Sequence, residues 1–298
     1  MPQKPKTFRM VYMDFSSARL EEDLRFYSEI MGLRQDGQAT ADRTWLSLGF
    51  DHHNLSFRKG DNSGLEAVGY QLAADIDLDS MAKHLDAAGL AYTRKSDARP
   101  GVDELIEVEP IGGHSVHLIS AISQTEGTMT TTGVAPLRLG HFAVASAEGA
   151  AIKRFYTEVL GFHRTDAFGD VLDFYTCNYE HHVLNVVEAP TAHRLHHLAF
   201  QLRETGSHVN AADLLARDSK PIVWGPTRHT AGHNIASYFQ DDSKRLVELY
   251  TEMDVYLPDL DMMEPRPWHE EIPMRPRRWE RGDVAHWRTK FAVELSQF

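Results

Sequence analysis

The chain has 298 residues, 42% hydrophobic and 25% charged, which suits a globular protein with room for two domains. Its 31 basic and 43 acidic residues give a formal net charge of −12 without a long basic run, arguing against a nucleic-acid or anionic-membrane surface. The single cysteine, Cys177, excludes an internal disulfide framework and a thiolate-rich metal site.

Residues 1–6 are polar, contain proline and read as a short tail. They lack an apolar signal core, and no stretch of the chain has the length of a membrane span; a soluble, cytoplasmic protein is expected. FRMVYMDF reads as a strand, and Leu20, Leu24, Tyr27 and Met31 have helical spacing ahead of Gly32. RTWLSLGF, HHNLSFR and GLEAVGYQLA follow as strands, then a helix over SMAKHLDAAGL with Ser80 as its candidate cap and Gly89 at its end, then the strand GHSVHLIS. Residues 122–136, rich in Thr, Gly and Ser, read as a linker.

The same order then repeats. Arg25-Phe26-Tyr27 falls on Arg154-Phe155-Tyr156 at an offset of 154 − 25 = 129, and Gly32 falls on Gly161. His52-His53 falls likewise on His181-His182. In the second copy LRLGHFAV is a strand, and Ser146 is placed to cap a helix with Ile152, Phe155 and Val159 inward. FHRTDAFGDV reads as a loop, VLDFYTC, HHVLNVV and RLHHLAFQL as strands, and GSHVNAADLLARD as a helix. A loop, KPIVWGPTRHTAG, leads into a final hairpin whose turn is Asp241–Lys244, which sets Tyr238 across from Val247 or Glu248. The expected organisation is α+β in two tandem halves, 7–121 and 137–253, each curling a mixed sheet around a cavity. The remaining segment, 254–298, holds three of the five tryptophans and the cluster Arg275, Arg277, Arg278 and Arg281. It is too aromatic for a disordered tail, and is expected to act as a lid or as a contact in a homo-oligomer.

Residues two apart in a strand share a face, so His141, His197 and Glu248 each project with apolar neighbours, where an unpaired imidazole or carboxylate is costly. Two imidazoles and a carboxylate on separate strands are the ingredients of a facial triad for non-haem Fe(II). The first half has Tyr12, Ala67 and His117 at the corresponding places and is expected to carry no metal site. His53, which corresponds to His182, reads there as surface or structural.

The phrases LGHFAV, FYTEVLGF, EHHVLNVV, RLHHLAFQL, GPTRHTAGHNIASYF and VELY resemble the second module of the type I extradiol ring-cleaving dioxygenases, within the vicinal oxygen chelate superfamily. The turn QDDSKR departs from the Asp-Pro-Asp-Gly type common in that family. The resemblance implies two βαβββ modules in each half. It also implies metal ligation by His141, His197 and Glu248, an acid/base role for His182, and substrate contacts from His229 and Tyr238. Fe(II), or Mn(II) in its place, a catechol-type substrate and O₂ are the implied cofactor and reactants. Two other readings are a glyoxalase-type metal-dependent lyase or isomerase and a metal-free binding protein of the same superfamily.

Overall fold

The computed structural model describes residues 4–35, 43–125, 129–190, 193–280, 282 and 284–290. By contacts the chain forms two compact units, one of Lys6–Leu139 with Asp241–Lys244, the other of Met1–Pro5, Gly140–Gln240 and Arg245–Phe298. No helix among the described residues is long and apolar enough to cross a membrane.

The fold is α+β. In the first unit the elements are β1 (Thr7–Ser17), α1 (Leu20–Arg25), β2 (Arg43–Leu46), β3 (Leu55–Lys59), β4 (Gly64–Leu72), α2 (Leu78–Ala87), β5 (Tyr92–Arg99), β6 (Val102–Ile111) and β7 (His114–Ile119). They make one mixed sheet in the order β2-β3-β1-β4-β7-β6-β5. β4 to β7 with α2 form a βαβββ module; the module begun by β1 shows three strands, and residues 36–42 between α1 and β2 lie outside those described.

The second copy comprises β8 (Arg138–Ser146), α3 (Gly149–Arg154), β9 (His163–Phe168), β10 (Leu172–Thr176) and β11 (Leu184–Glu188), then β12 (Arg194–Gln201), α4 (Ser207–Arg217), β13 (Trp224–Arg228), β14 (Ile235–Gln240) and β15 (Leu246–Thr251). Each set is a complete βαβββ module, and the modules join at the β8–β12 edge in the order β13-β14-β15-β12-β8-β11-β10-β9. In both copies the first helix continues as a π-helical turn, Phe26–Ile30 and Phe155–Val159, which buries the repeated Phe-Tyr pairs. Gly32, Gly89 and Gly161 end their helices with φ of +85°, +68° and +74°, the left-handed conformation glycine adopts without penalty.

Several local expectations are corrected. Asp77, not Ser80, caps α2, accepting the Ser80 N–H at 2.7 Å. Ser146 accepts the Glu148 N–H just ahead of α3 and does not cap it directly. The expected loop at 162–171 is largely β9, and that at 220–232 contains β13. β5 and β6 carry charge on both faces of much of their length, so alternation did not mark them. Part of the 122–136 linker, residues 126–128, lies outside the described residues.

After β15 come β16 (Tyr256–Leu257), β17 (Met262–Met263) and β18 (Arg277–Trp279). β18 pairs in parallel with β9, one end of the second sheet. A few residues on, His286 N–H donates to Arg228 O and Thr230 N–H donates to Val284 O, beside β13 at the other end. One short segment therefore meets both edges of a curled sheet, whose unpaired backbone groups would otherwise invite association. The tail is held further back by the buried Asp254 carboxylate, which accepts from His233 Nδ1 (2.7 Å), His269 Nε2 (2.9 Å) and Trp268 Nε1 (3.1 Å).

In the first unit the place corresponding to the triad is filled. The Arg99 guanidinium lies 3.6 Å from the Tyr12 ring centroid and is paired in bidentate fashion with Asp14 at 2.9 and 2.7 Å. It also approaches His117 Nδ1 at 3.1 Å, which in turn contacts the Tyr12 hydroxyl. Burial would raise the Asp14 carboxyl, but Arg99 outweighs it and holds the group below the usual range. His53 is wholly buried, so the surface reading is corrected and the structural one remains.

Asp254→Ala should cost on the order of 3–5 kcal/mol, because it strips a buried carboxylate from three donors. Arg278→Ala, which breaks a solvent-exposed pair with Asp170, should cost less than about 1 kcal/mol. Urea unfolding of the two variants checks the contrast; equal losses would mean that Asp254 does not anchor the tail.

Candidate metal centre and active site

Strand pairing brings the three candidate ligands together. β12 and β15 run parallel with Ala199 beside Glu248, and β8 lies on the other side of β12. His141 Nε2 is 3.1 Å and His197 Nε2 is 3.3 Å from Glu248 Oε2, all three residues being buried. Gly140 is needed beside His141: a Cβ there would lie 2.0 Å from the Tyr250 hydroxyl.

Glu248 organises this cluster. Its Oε1 accepts from Asn234 Nδ2 at 2.8 Å and its Oε2 from the Tyr238 hydroxyl at 2.6 Å. The hairpin register sets Tyr238 opposite Glu248, the second of the two pairings expected. Burial alone would raise the carboxyl; His141, which also hydrogen-bonds it, outweighs burial and holds the carboxyl below its usual range. Burial drives His197 well below the ordinary histidine value, leaving it neutral, the state metal ligation requires.

The residues fit a divalent cation. The buried His197 Nε2 has no hydrogen-bond partner among the described residues, although an orphaned polar atom costs about 1–3 kcal/mol. His197 Nδ1 meets His196 Nδ1 at 2.7 Å. A proton donated from His197 to His196 leaves Nε2 with its lone pair toward Glu248, the tautomer a metal needs.

A second buried group, His233, Asp254 and His269, is also compact enough to hold an ion, but it is satisfied without one. His269 Nδ1 accepts the Arg266 N–H, so Nε2 carries the proton given to Asp254. Each carboxylate oxygen already accepts a hydrogen bond.

The other three expected residues join the first group. Tyr238 and His229 stack with Trp224, at centroid distances of 5.2 and 5.1 Å, and the Tyr238 hydroxyl is 3.3 Å from His229 Nε2. His182 packs edge-on to His141 at 4.3 Å. Its Nδ1 is 2.9 Å from His181 Nδ1, and His181 Nε2 is 3.1 Å from Asp166 Oδ2. Asp166 also accepts from Arg277 N–H and Trp279 Nε1, so it acts as an acceptor and His181 gives it the Nε2 proton. His181 Nδ1 then accepts from His182, which leaves Nε2 as the unprotonated nitrogen of His182. Burial keeps His182 neutral.

A cavity of about 80 Å³ is lined by His182, His197, His229, Tyr238 and Glu248 and walled by aromatic and apolar side chains. Trp224, Asn234, His196, His181 and Asp166 were not singled out from sequence as site residues. The adjacent-histidine doublets were the available signal for two of them; the others depend on pairings distant in sequence. Arg275, Arg277 and Arg278 do not line this cavity; Arg277 pairs with Glu271 and Arg278 with Asp170. Arg281 lies outside the described residues.

Residues 138–249 match the sequence model of the Glyoxalase/Bleomycin resistance protein/Dioxygenase superfamily. The chain is 26% identical to a biphenyl-2,3-diol 1,2-dioxygenase of Metapseudomonas furukawaii, over 80% of this chain and 84% of that one. It is 23% identical to an iron-dependent extradiol dioxygenase of Rhodococcus jostii (strain RHA1), over 66% and 73% of the two chains. Among solved structures, a Mn(II)-bound glyoxalase from Novosphingobium aromaticivorans superposes with a TM-score of 0.83 at 22% identity, covering 98% of this chain and 94% of that one.

Reconstitution should load one divalent ion per chain. His197→Ala should abolish loading, while His269→Ala should leave it intact. Elemental analysis decides; two ions per chain, or loss of the ion in the His269 variant, would move the site to the second cluster.

Proposed function

We propose that this chain, whose residues 138–249 match the glyoxalase/bleomycin resistance protein/dioxygenase superfamily, is an extradiol dioxygenase, opening a catechol-type ring beside its diol with both atoms of O₂. His141, His197 and Glu248 are assigned as ligands of Fe(II), with Mn(II) able to take the same donors. When bound, the ion would supply Lewis-acid and electron-transfer chemistry between a catechol and O₂. Fold alone does not select this reading, since a glyoxalase shares it. The observation that carries it is the convergence of His182, His229 and Tyr238 on the cavity that two of the ligands, His197 and Glu248, also line. A lyase or isomerase on this fold needs the ligands and not this whole set.

The side chains divide the proton chemistry between them. A catechol must shed hydroxyl protons, and His229, held neutral by burial, is able to accept one. Tyr238 gives its own proton to Glu248, so its phenolic oxygen accepts on the side facing His229 and the substrate. Burial raises the Tyr238 phenol well above its usual value, and the Glu248 charge adds to this; Tyr238 therefore orients and does not ionise. On the His141 side, the unprotonated Nε2 of His182 is a second acceptor, able to return its proton as the ring opens. Phe168, Phe174, Trp224 and Val284 line the same cavity and exclude water, which strengthens each polar contact.

The diagnostic experiment is turnover of a catechol under ¹⁸O₂, with both labelled atoms expected in the ring-opened product. A single labelled atom points to a different oxygenase. Inertness toward every catechol, with turnover of a thiol–aldehyde adduct, points to the lyase.

His182→Phe should keep its metal while turnover falls by on the order of 10²–10⁴, the usual contribution of a general acid/base. Loss of metal from that variant would make His182 a ligand and break the assignment.

A further inference from the structure

His182 can accept a proton from the cavity only if its own proton sits on the nitrogen turned the other way. That nitrogen, Nδ1, meets His181 Nδ1 at 2.9 Å. A neutral imidazole has one donor and one acceptor, so one ring must donate across this contact and the other accept. The two rings are the same chemical group, and nothing within the pair chooses between them. The choice is made behind His181.

Asp166 lies there, buried like both histidines. Its Oδ1 accepts the Arg277 backbone N–H at 2.8 Å, and its Oδ2 accepts the Trp279 indole N–H at 2.7 Å. An indole and a backbone amide nitrogen can only donate, so both oxygens of Asp166 are committed as acceptors. His181 Nε2, 3.1 Å from Oδ2, must then bring the proton. Both committing donors belong to β18, in the C-terminal segment. His181 is fixed from its backbone as well: its N–H donates to Asp254 O at 2.9 Å, and its carbonyl accepts the Thr165 hydroxyl at 2.7 Å. Gly232 packs on the contact between the rings, where a Cβ would lie 2.9 Å from His181 Nδ1 and 3.4 Å from His182 Cε1.

We propose that Asp166 is a positioning residue for His182: committed as an acceptor by two donors from the tail, it fixes the His181 proton on Nε2 and thereby the His182 proton on Nδ1. The tail then contributes to proton chemistry at the cavity without touching the substrate. The consequence for catalysis rests on the ring-cleaving reading above; the tautomer does not.

One double variant should reverse the arrangement. An asparagine side chain carries one acceptor oxygen and one donor NH₂. In Asp166→Asn alone, either setting of the amide turns its NH₂ against a donor, Arg277 N–H in one and Trp279 Nε1 in the other. Adding Trp279→Phe removes the second conflict, so the amide oxygen faces Arg277 and the NH₂ donates to His181 Nε2. The His181 proton must then move to Nδ1, and His182 accepts there and carries its own proton on Nε2.

Nitrogen-15 NMR of histidine-labelled protein loaded with Zn(II), a diamagnetic ion, reads which ring nitrogens are protonated, and His182→Phe identifies the His182 signals. Wild type should show His182 protonated on Nδ1 and bare on Nε2, with a coupling across the N–H···N bond to His181. Trp279→Phe should show the same pattern and Asp166→Asn/Trp279→Phe the reverse. A wild-type proton on Nε2 would overturn the proposal even if no variant folds. So would a folded double variant with the wild-type pattern, or a reversal already present in Trp279→Phe. With Fe(II) in place of zinc, turnover of catechol by the double variant should fall by on the order of 10²–10⁴, as for a general base offering the wrong tautomer. Reversal with unchanged turnover would overturn the positioning role. Failure of the wild type to turn over any catechol would instead overturn the ring-cleaving reading and leave the tautomer assignment standing.

Discussion

The Glu248 carboxylate is the constraint around which the second unit is arranged. An ionised carboxylate with 1% exposure persists only where donors and opposite charge replace the water it has lost. Asn234 and Tyr238 supply two hydrogen bonds from the adjoining loop and hairpin strand, and His141 supplies a third contact from β8. The remaining imidazole, His197, faces the same oxygen without bonding to it. The arrangement is thus held together by hydrogen bonds on three sides and leaves the His197 Nε2 lone pair, beside the carboxylate, in the place a cation fits.

From this carboxylate two chains of contacts run outward, and both end in the C-terminal segment. One passes from His182 through His181 to Asp166, where β18 and Trp279 attach. The other passes from Asn234 to its neighbour His233 and on to Asp254, where Trp268 and His269 attach. The tail therefore covers two sheet edges and also supports the residues that flank the ligands. Trp268 and Trp279 anchor it through their N–H groups, whereas the exposed Arg278 pairs with the exposed Asp170, an interaction worth little by itself.

Much of this was legible in the sequence because the ligands sit in strands with clear apolar alternation and because the chain repeats itself. His141, His197 and Glu248 could be picked from single strands, and the short hairpin turn limited Tyr238 to two partners, of which the structure selects Glu248. Other features left no local trace. β9 has a mixed polar start and reads as a loop until β18 is known to pair with it. Asp254 looks like any polar residue after a strand; its role depends on donors 14 and 15 residues downstream and one 21 residues upstream.

The first copy of the repeat met the same problem with a different solution. At the place of the triad it carries Arg99, a permanent cation fixed by Asp14 and lying on Tyr12. A charge bound to the chain cannot be chelated, oxidised or exchanged. That half of the protein completes its core with its own residues, whereas the other half leaves the buried Nε2 of His197 without a hydrogen-bond partner among the described residues. The repeat thus sets a copy sealed by its own cation beside a copy whose buried imidazole faces a carboxylate without bonding to it.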